Sequence, residues 1–282
     1  ENKIYLCAIS NIESGTCNED CKFCTQSVKY KADIQRYRRK EIEDIVKEAI
    51  IARKNRAIGF CLVTAGTGLD DKRLDYVCRA ASAIKKELGD ELSLIACNGI
   101  ATLEQLKELK KHWIENYNHN LETAQEFYNE ICTTHPWEDR YQTCLNAKEA
   151  GLQLCTGGIF GLGETQENRI SMLKSIASLE PMSVPINFFH PNDALPIVKN
   201  SISREEAFEL IKLSREYLPN QMIMIAGGRE LMFKEQEYDV FKYGANSLVV
   251  GDYLTTAGKT AQEDIDAIEA LGYEIALDCK TR

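Results

Sequence analysis

Short apolar runs separated by longer stretches of helical period dominate this chain. The runs read IYLCAIS, AIGFCLVTA, LSLIAC, IENYNHNL, LQLCTGGIFGL, VPINFF, MIMIAGG and SLVVG, each with the length and residue types of a strand. Between them EIEDIVKEAIIARKN, DKRLDYVCRAASAIKKEL, PWEDRYQTCLNAKEA and REEAFELIKLSREYL place apolar residues three and four apart, as amphipathic helices do. Strands alternating with helices in this number predict a parallel (β/α)8 TIM-type barrel rather than an open doubly wound sheet. No Gly/Ser/Pro-rich linker, repeat or low-complexity tract breaks the alternation, so residues 1–282 are expected to be a single domain.

Composition narrows the function classes. The net charge of −9 argues against a nucleic-acid surface, which is basic. One local exception is YKADIQRYRRK, where Lys31, Arg36, Arg38, Arg39 and Lys40 cluster. It reads either as a solvated helix start or as a docking site for an acidic electron-donor protein. No apolar run is long enough for a membrane helix, and the opening ENKIYLCAIS has neither an initiator Met nor a signal-peptide pattern. Eleven scattered cysteines then point to a reducing, cytoplasmic setting and to metal or catalytic thiols.

In such a barrel, reactive groups gather at the C-terminal ends of the strands. Directly after the first strand, GTCNEDCKFCTQS spaces Cys17, Cys21 and Cys24 as C-x3-C-x2-C. Structural zinc usually takes four ligands in paired spacings, and a disulfide strands one of three thiols. Three thiolates on one loop suit a metal centre with one open position; zinc remains the alternative. Cys61, Cys97 and Cys155 fall on the second, third and fifth strands, and Arg229 ends the seventh, so all four can converge on the barrel axis. Cys7 on the first strand is read as a core thiol that could face the same cavity. Cys78, Cys132, Cys144 and Cys279 are expected to be structural or incidental.

The cysteine trio, with Phe23 before its last member, resembles the cluster motif of the radical S-adenosylmethionine (SAM) superfamily. GGIFGLGE resembles that superfamily's G-x-I-x-G-x-x-E element, here Gly157, Ile159, Gly161 and Glu164. Taken with YNHNLET, VPINFF and AGGRE, in order and over nearly the whole chain, these motifs are similar to the biotin synthase family. The resemblance implies that Cys17, Cys21 and Cys24 hold a 4Fe–4S cluster whose free iron binds SAM, with Phe23, Gly157, Ile159 and Gly161 around the cofactor. It implies that Asn120 and Glu122 hold the SAM ribose and that Asn118 and Asn187 contact dethiobiotin. A second, 2Fe–2S cluster falls to Cys61, Cys97, Cys155 and Arg229 as sulfur donor. A guanidinium, however, has no free lone pair for iron while protonated.

The resemblance also implies a homodimer and a flavodoxin- or ferredoxin-type electron donor. Departures from the family pattern are Glu122 where Asp is usual, His112 and Trp113 where small residues are usual, Gly59 where some relatives carry Arg, and His190 at the rim. Other barrel members of the superfamily, a maturase or a tRNA sulfur-inserting enzyme, remain alternatives, as does a non-catalytic metal scaffold.

Overall fold

The computed structural model describes residues 2–252 and 258–278; Cys279 lies outside them. Strands β1 (Lys3–Asn11), β2 (Gly59–Val63), β3 (Ser93–Cys97), β4 (Asn116–Asn118), β5 (Gln153–Cys155), β6 (Gly158–Phe160), β7 (Ser183–Phe188), β8 (Met222–Ile225), β9 (Ser247–Val249) and β10 (Glu274–Ile275) pair in parallel throughout. The order runs β1-β2-β3-β4-β5-β7-β8-β9, and β9 returns to β1, closing an eight-stranded barrel. A β10 pairing extends the opening end of β1, Lys3 opposite Glu274. The run LQLCTGGIFGL, expected as one strand, is broken into β5 and β6, because Thr156 and Gly157 leave the ladder. Gly157 crosses where no side chain fits: a Cβ there would lie 1.8 Å from the Pro185 carbonyl oxygen.

The helices form the outer layer. Residues 71–88 show why the sequence folds as it does: Asp70 caps the helix by accepting from the Arg73 N–H at 2.8 Å, and Tyr76, Val77, Ala80, Ala81 and Ile84 turn one buried stripe to the sheet. Cys78 and Cys144 sit in helices and are buried, as expected of structural thiols. The basic run is not a helix start. Residues 38–41 are irregular and the helix begins at Ile42. Arg36 donates to the Gly15 carbonyl at 2.7 Å, Arg39 pairs with buried Glu13 at 3.5 Å, and Lys40 pairs with Glu48 at 2.6 Å. Lys31 and Arg38 are exposed. Among the described residues no helix is long and apolar enough to cross a membrane.

Strand register sets which side chains meet inside. Alternate strands β1, β3, β5 and β8 contribute Cys7, Ile95, Cys155 and Met224 to one layer. The intervening strands contribute Cys61, Asn118, Pro185 and Val249 to the next. All eight line a cavity of about 390 Å³ that opens at the C-terminal end.

Candidate active site

The loop after β1 is the upper wall of that cavity. Its shape is fixed by hydrogen bonds rather than by a core. Gln26 accepts from the Gly15 N–H at 2.5 Å and donates to Asn11 at 3.3 Å, while Cys17 N–H donates to the Gln26 carbonyl at 3.2 Å. Gly15 has φ +67, and a Cβ there would strike Arg36 at 2.6 Å. Asp20 anchors the loop to residues 133–134: its carboxylate accepts from Thr133 N–H at 2.9 Å, from Thr134 Oγ1 at 3.0 Å and from the Thr133 hydroxyl. Lys22 N–H donates to the Ile131 carbonyl at 2.9 Å. Cys24 thereby lies within electrostatic reach of both Cys17 and Cys21, and Phe23 and Thr25 line the cavity mouth.

Arg140 is the positive charge of this region. Its guanidinium donates to the Asn120 carbonyl at 2.9 Å and to Tyr128 Oη at 2.6 Å, and lies 3.6 Å from Glu122. Burial pushes the Cys24 thiol up to about 12 and raises Cys17, while Arg140 pulls both the other way. Cys21 is raised first by its contact with Cys132 and then by burial. Burial also raises the Glu122 carboxyl, against the opposing pull of Arg140.

Along YNHN, the period of two decides function. Asn118 and Asn120 face the cavity. Tyr117 and His119 do not line it, and Tyr117 donates to the Gly99 carbonyl at 2.6 Å. Asn120 Oδ1 accepts from Gly157 N–H at 3.1 Å. Glu122, also on the cavity, has φ +68, a conformation costing a non-glycine residue on the order of 1–3 kcal/mol. It is held there because its carbonyl accepts from Ile159 N–H at 2.8 Å and its N–H donates to the Gly157 carbonyl at 3.3 Å. Asn187 spans two strand ends, donating to the Gly158 carbonyl at 3.3 Å and accepting from Gly227 N–H at 2.9 Å. Ile159 lines the cavity; Gly157 and Gly161 do not. Gly161 instead shapes a turn in which Glu164 accepts its N–H at 2.9 Å and that of Leu162 at 2.7 Å. His190 is exposed at the mouth.

Deeper in, Cys61, Cys97 and Cys155 come together as expected. The Cys61 thiol is raised well above its ordinary value, first by contact with Cys97, then by burial, then by Cys155 and Cys7. Arg229 does not join them, which corrects its assignment as a fourth ligand. Gly228, at φ +82, turns the chain as β8 ends, and Arg229 opens a helix outside the cavity. Its guanidinium binds both oxygens of Asp264, at 2.8 and 3.1 Å, and lies 3.3 Å from Glu237, with 1% of its surface exposed. Two buried carboxylates satisfy a guanidinium far better than a cluster iron. The strand positions that face the cavity there are Met222 and Met224.

Sequence reasoning misses three groups that the fold brings to the loop: Arg140, Cys132 and His135. Arg140 lies within an ordinary helical pattern, Cys132 lies 111 positions from the Cys21 it touches, and His135 lies 116 from the Glu19 it touches.

A closed parallel barrel with three thiols on the loop after its first strand is the architecture of a radical SAM enzyme. Residues 12–176 match the profile of the Radical SAM superfamily, and residues 185–274 that of the Biotin and Thiamin Synthesis associated domain. Solved structures agree on the fold: methylornithine synthase (TM-score 0.83, 19% identity, 98% of this chain and 84% of that one) and the hydrogenase maturase HydG from Carboxydothermus hydrogenoformans (TM-score 0.83, 20% identity, 98% and 68%). The chain is 82% identical to the biotin synthase of Aliarcobacter butzleri over 99% of both lengths, and 63% identical to that of a Nitratiruptor strain over 98% of this chain and 99% of the other. It belongs to the biotin synthase family of the radical SAM superfamily. Membership implies a 4Fe–4S cluster and SAM.

Proposed function

We propose that this enzyme inserts sulfur between two unactivated carbons of dethiobiotin, with the loop thiols holding the SAM-bearing cluster and the barrel thiols holding a second, 2Fe–2S-type cluster consumed as sulfur donor. The observation that carries this reading is the placement of two thiol sets at two depths of one barrel, with an amide-lined cavity between them.

The residues present suit these groups. Asn118 Oδ1 and Ser183 Oγ are buried on the cavity wall with no hydrogen-bond partner, as acceptors and donors awaiting a polar ligand are. Soft thiolates are the donors that iron–sulfur clusters take. When bound, the cluster and SAM supply a 5′-deoxyadenosyl radical, which an unactivated C–H bond requires. Cys17, Cys21 and Cys24 would hold three irons, and Arg140 offsets the negative charge gathered there. Asn120 and Glu122 would hold the ribose, and Phe23 and Ile159 would border the adenosyl group. Gly157 and Gly161 act by letting the backbone of β6 lie against Glu122 and turn sharply after it. Asn118 and Asn187 offer amide groups to the cyclic urea, and the apolar walls Ile9, Val63, Ile95 and Val249 exclude water from a radical.

Cys61, Cys97 and Cys155 would hold the second cluster. Cys7, which lines the same cavity and acts electrostatically on Cys61, takes the fourth position in place of Arg229. A homodimer and a flavodoxin- or ferredoxin-type donor complete the reading, with exposed Lys31 and Arg38 as the charges for an acidic donor. The test is to rebuild the second cluster with heavy sulfide and run a single turnover in light buffer sulfide. Heavy sulfur is expected in the biotin; light sulfur throughout would overturn the donor role.

A further inference from the structure

Behind the cluster loop lies a second set of metal-binding atoms that the proposed reaction does not use. Cys21, Cys132 and His135 are all buried, and their ligating atoms lie within 4.8 Å of one another. Cys21 Sγ is 3.6 Å from Cys132 Sγ, and Cys132 Sγ is 3.5 Å from His135 Nδ1. In tetrahedral zinc sites, bonds of about 2.3 Å to sulfur and about 2.0–2.1 Å to nitrogen separate ligand atoms by roughly 3.5–3.8 Å. The two edges seen here fit that spacing.

The surroundings complete the resemblance to a ligand set. Glu19 Oε2 lies 2.6 Å from His135 Nδ1 and fixes the imidazole by a hydrogen bond. The other ring nitrogen, Nε2, meets Tyr128 Oη at 2.8 Å, and Arg140 donates to that same oxygen at 2.6 Å. A ligating histidine is usually oriented by such a contact on its far nitrogen. The segment is also held in place independently, by Asp20 on Thr133 and Thr134. A buried cysteine that merely filled core volume would face apolar atoms; the Cys132 sulfur faces a thiol, a hydroxyl and an imidazole.

We propose that Cys21, Cys132 and His135 form a mononuclear site for a thiophilic divalent ion, zinc or ferrous iron, in the chain before its 4Fe–4S cluster is installed, with water as the fourth ligand. Two sulfurs and one imidazole select such ions over magnesium or calcium. Because Cys21 is also a member of the loop trio, zinc in this site and the cluster exclude one another. The site does not depend on SAM or on the second set of thiols.

The experiment titrates the full-length, cluster-free chain anaerobically with Co2+, followed by displacement with Zn2+. One equivalent of cobalt is expected, with the visible bands of tetrahedral geometry and thiolate charge transfer. Cys132→Ser and His135→Gln should each weaken binding about tenfold or more, the cost known even for losing outer-shell partners. Changing Cys17 and Cys24 together to Ser should leave the cobalt spectrum in place, which separates this site from metal caught by the trio. Zinc-loaded chain should fail to take up iron and sulfide until zinc is chelated. Loss of the cobalt spectrum in the Cys17/Cys24 double variant overturns the site, whatever Cys132→Ser does. Full cluster uptake with zinc still bound overturns the exclusion.

Discussion

The two thiol sets of this barrel are built on opposite principles. Cys17, Cys21 and Cys24 lie within eight residues of one another on a loop whose shape depends on hydrogen bonds from Gln26, Asp20 and Arg36. Cys61, Cys97 and Cys155 lie far apart in sequence on three strands, and the sheet register alone brings them together. The loop set can be disturbed by breaking one polar contact; the strand set can be disturbed only by changing a ligand or the barrel. On the proposed function, the site that meets cofactor sits on the adjustable frame, and the site that would hold the sulfur donor sits on the rigid one.

The largest expected effects separate the two sets outright. Cys21→Ala should abolish 5′-deoxyadenosine formation, whereas Cys97→Ser should leave SAM cleavage intact and abolish biotin. Product analysis by mass spectrometry checks both, and equal loss of both products in Cys97→Ser would show that the sets are not independent. Next comes the fourth ligand. Cys7→Ser should lower iron and sulfide at the second site while leaving the fold stable. Arg229→Met should do the reverse, keeping the cluster but costing about 3–5 kcal/mol, because buried Asp264 loses its ion-pair partner and keeps the Tyr238 hydroxyl, while Glu237 keeps Lys259. Metal analysis beside chemical denaturation tells them apart.

A smaller effect concerns the loop frame. Asp20→Asn should cost about 0.5–1.5 kcal/mol locally, the net range of an ordinary hydrogen bond, since Thr133 and Thr134 are exposed to water, and show as faster amide exchange in residues 17–24 and 131–135. Burial raises the Asp20 carboxyl, but the hydrogen bonds from Thr133 and Thr134 outweigh it and hold the group well below its ordinary value. A depressed carboxylate stabilises above its unfolded pKa of about 3.9, and that stability is lost only as pH falls through the lower, folded value. The loop anchor should therefore persist at neutral pH and fail only in strong acid. The gentlest test is titration of loading. Because Cys17, Cys21 and Cys24 are raised and hold their protons near neutrality, cluster assembly must expel them, so occupancy after reconstitution should climb as pH rises toward about 9. Iron content flat across that range would mean that the thiols are already ionised.

The same contrast explains what the sequence makes legible. The barrel is readable because most strands are short apolar runs bounded by turn residues, and the loop trio because its spacing is local. Asn118 and Asn120 are legible only through the resemblance of YNHNLET to the family motif, and the fold turns both to the cavity. Arg229 misleads: AGGRE reads as the end of an inward strand, and only the left-handed Gly228 shows the side chain leaving the barrel. Cys132, His135 and Arg140 carry no local signal, since their meaning comes from a contact with the loop made across more than a hundred residues of chain. The break of the fifth strand at Gly157 is equally hidden, because it depends on the carbonyl of Pro185.

Closure of the barrel has a consequence for when this enzyme can mature. Tyr5 to Cys7 are paired to Ser247 to Val249, and Lys3 and Ile4 to Glu274 and Ile275. At roughly 5–20 residues per second of synthesis, the first strand waits on the order of ten seconds or more for its closing neighbours. Throughout that interval the loop thiols emerge from the ribosome beside an unpaired strand edge. The cavity shared by Cys61, Cys97 and Cys155 is therefore closed only in a finished chain.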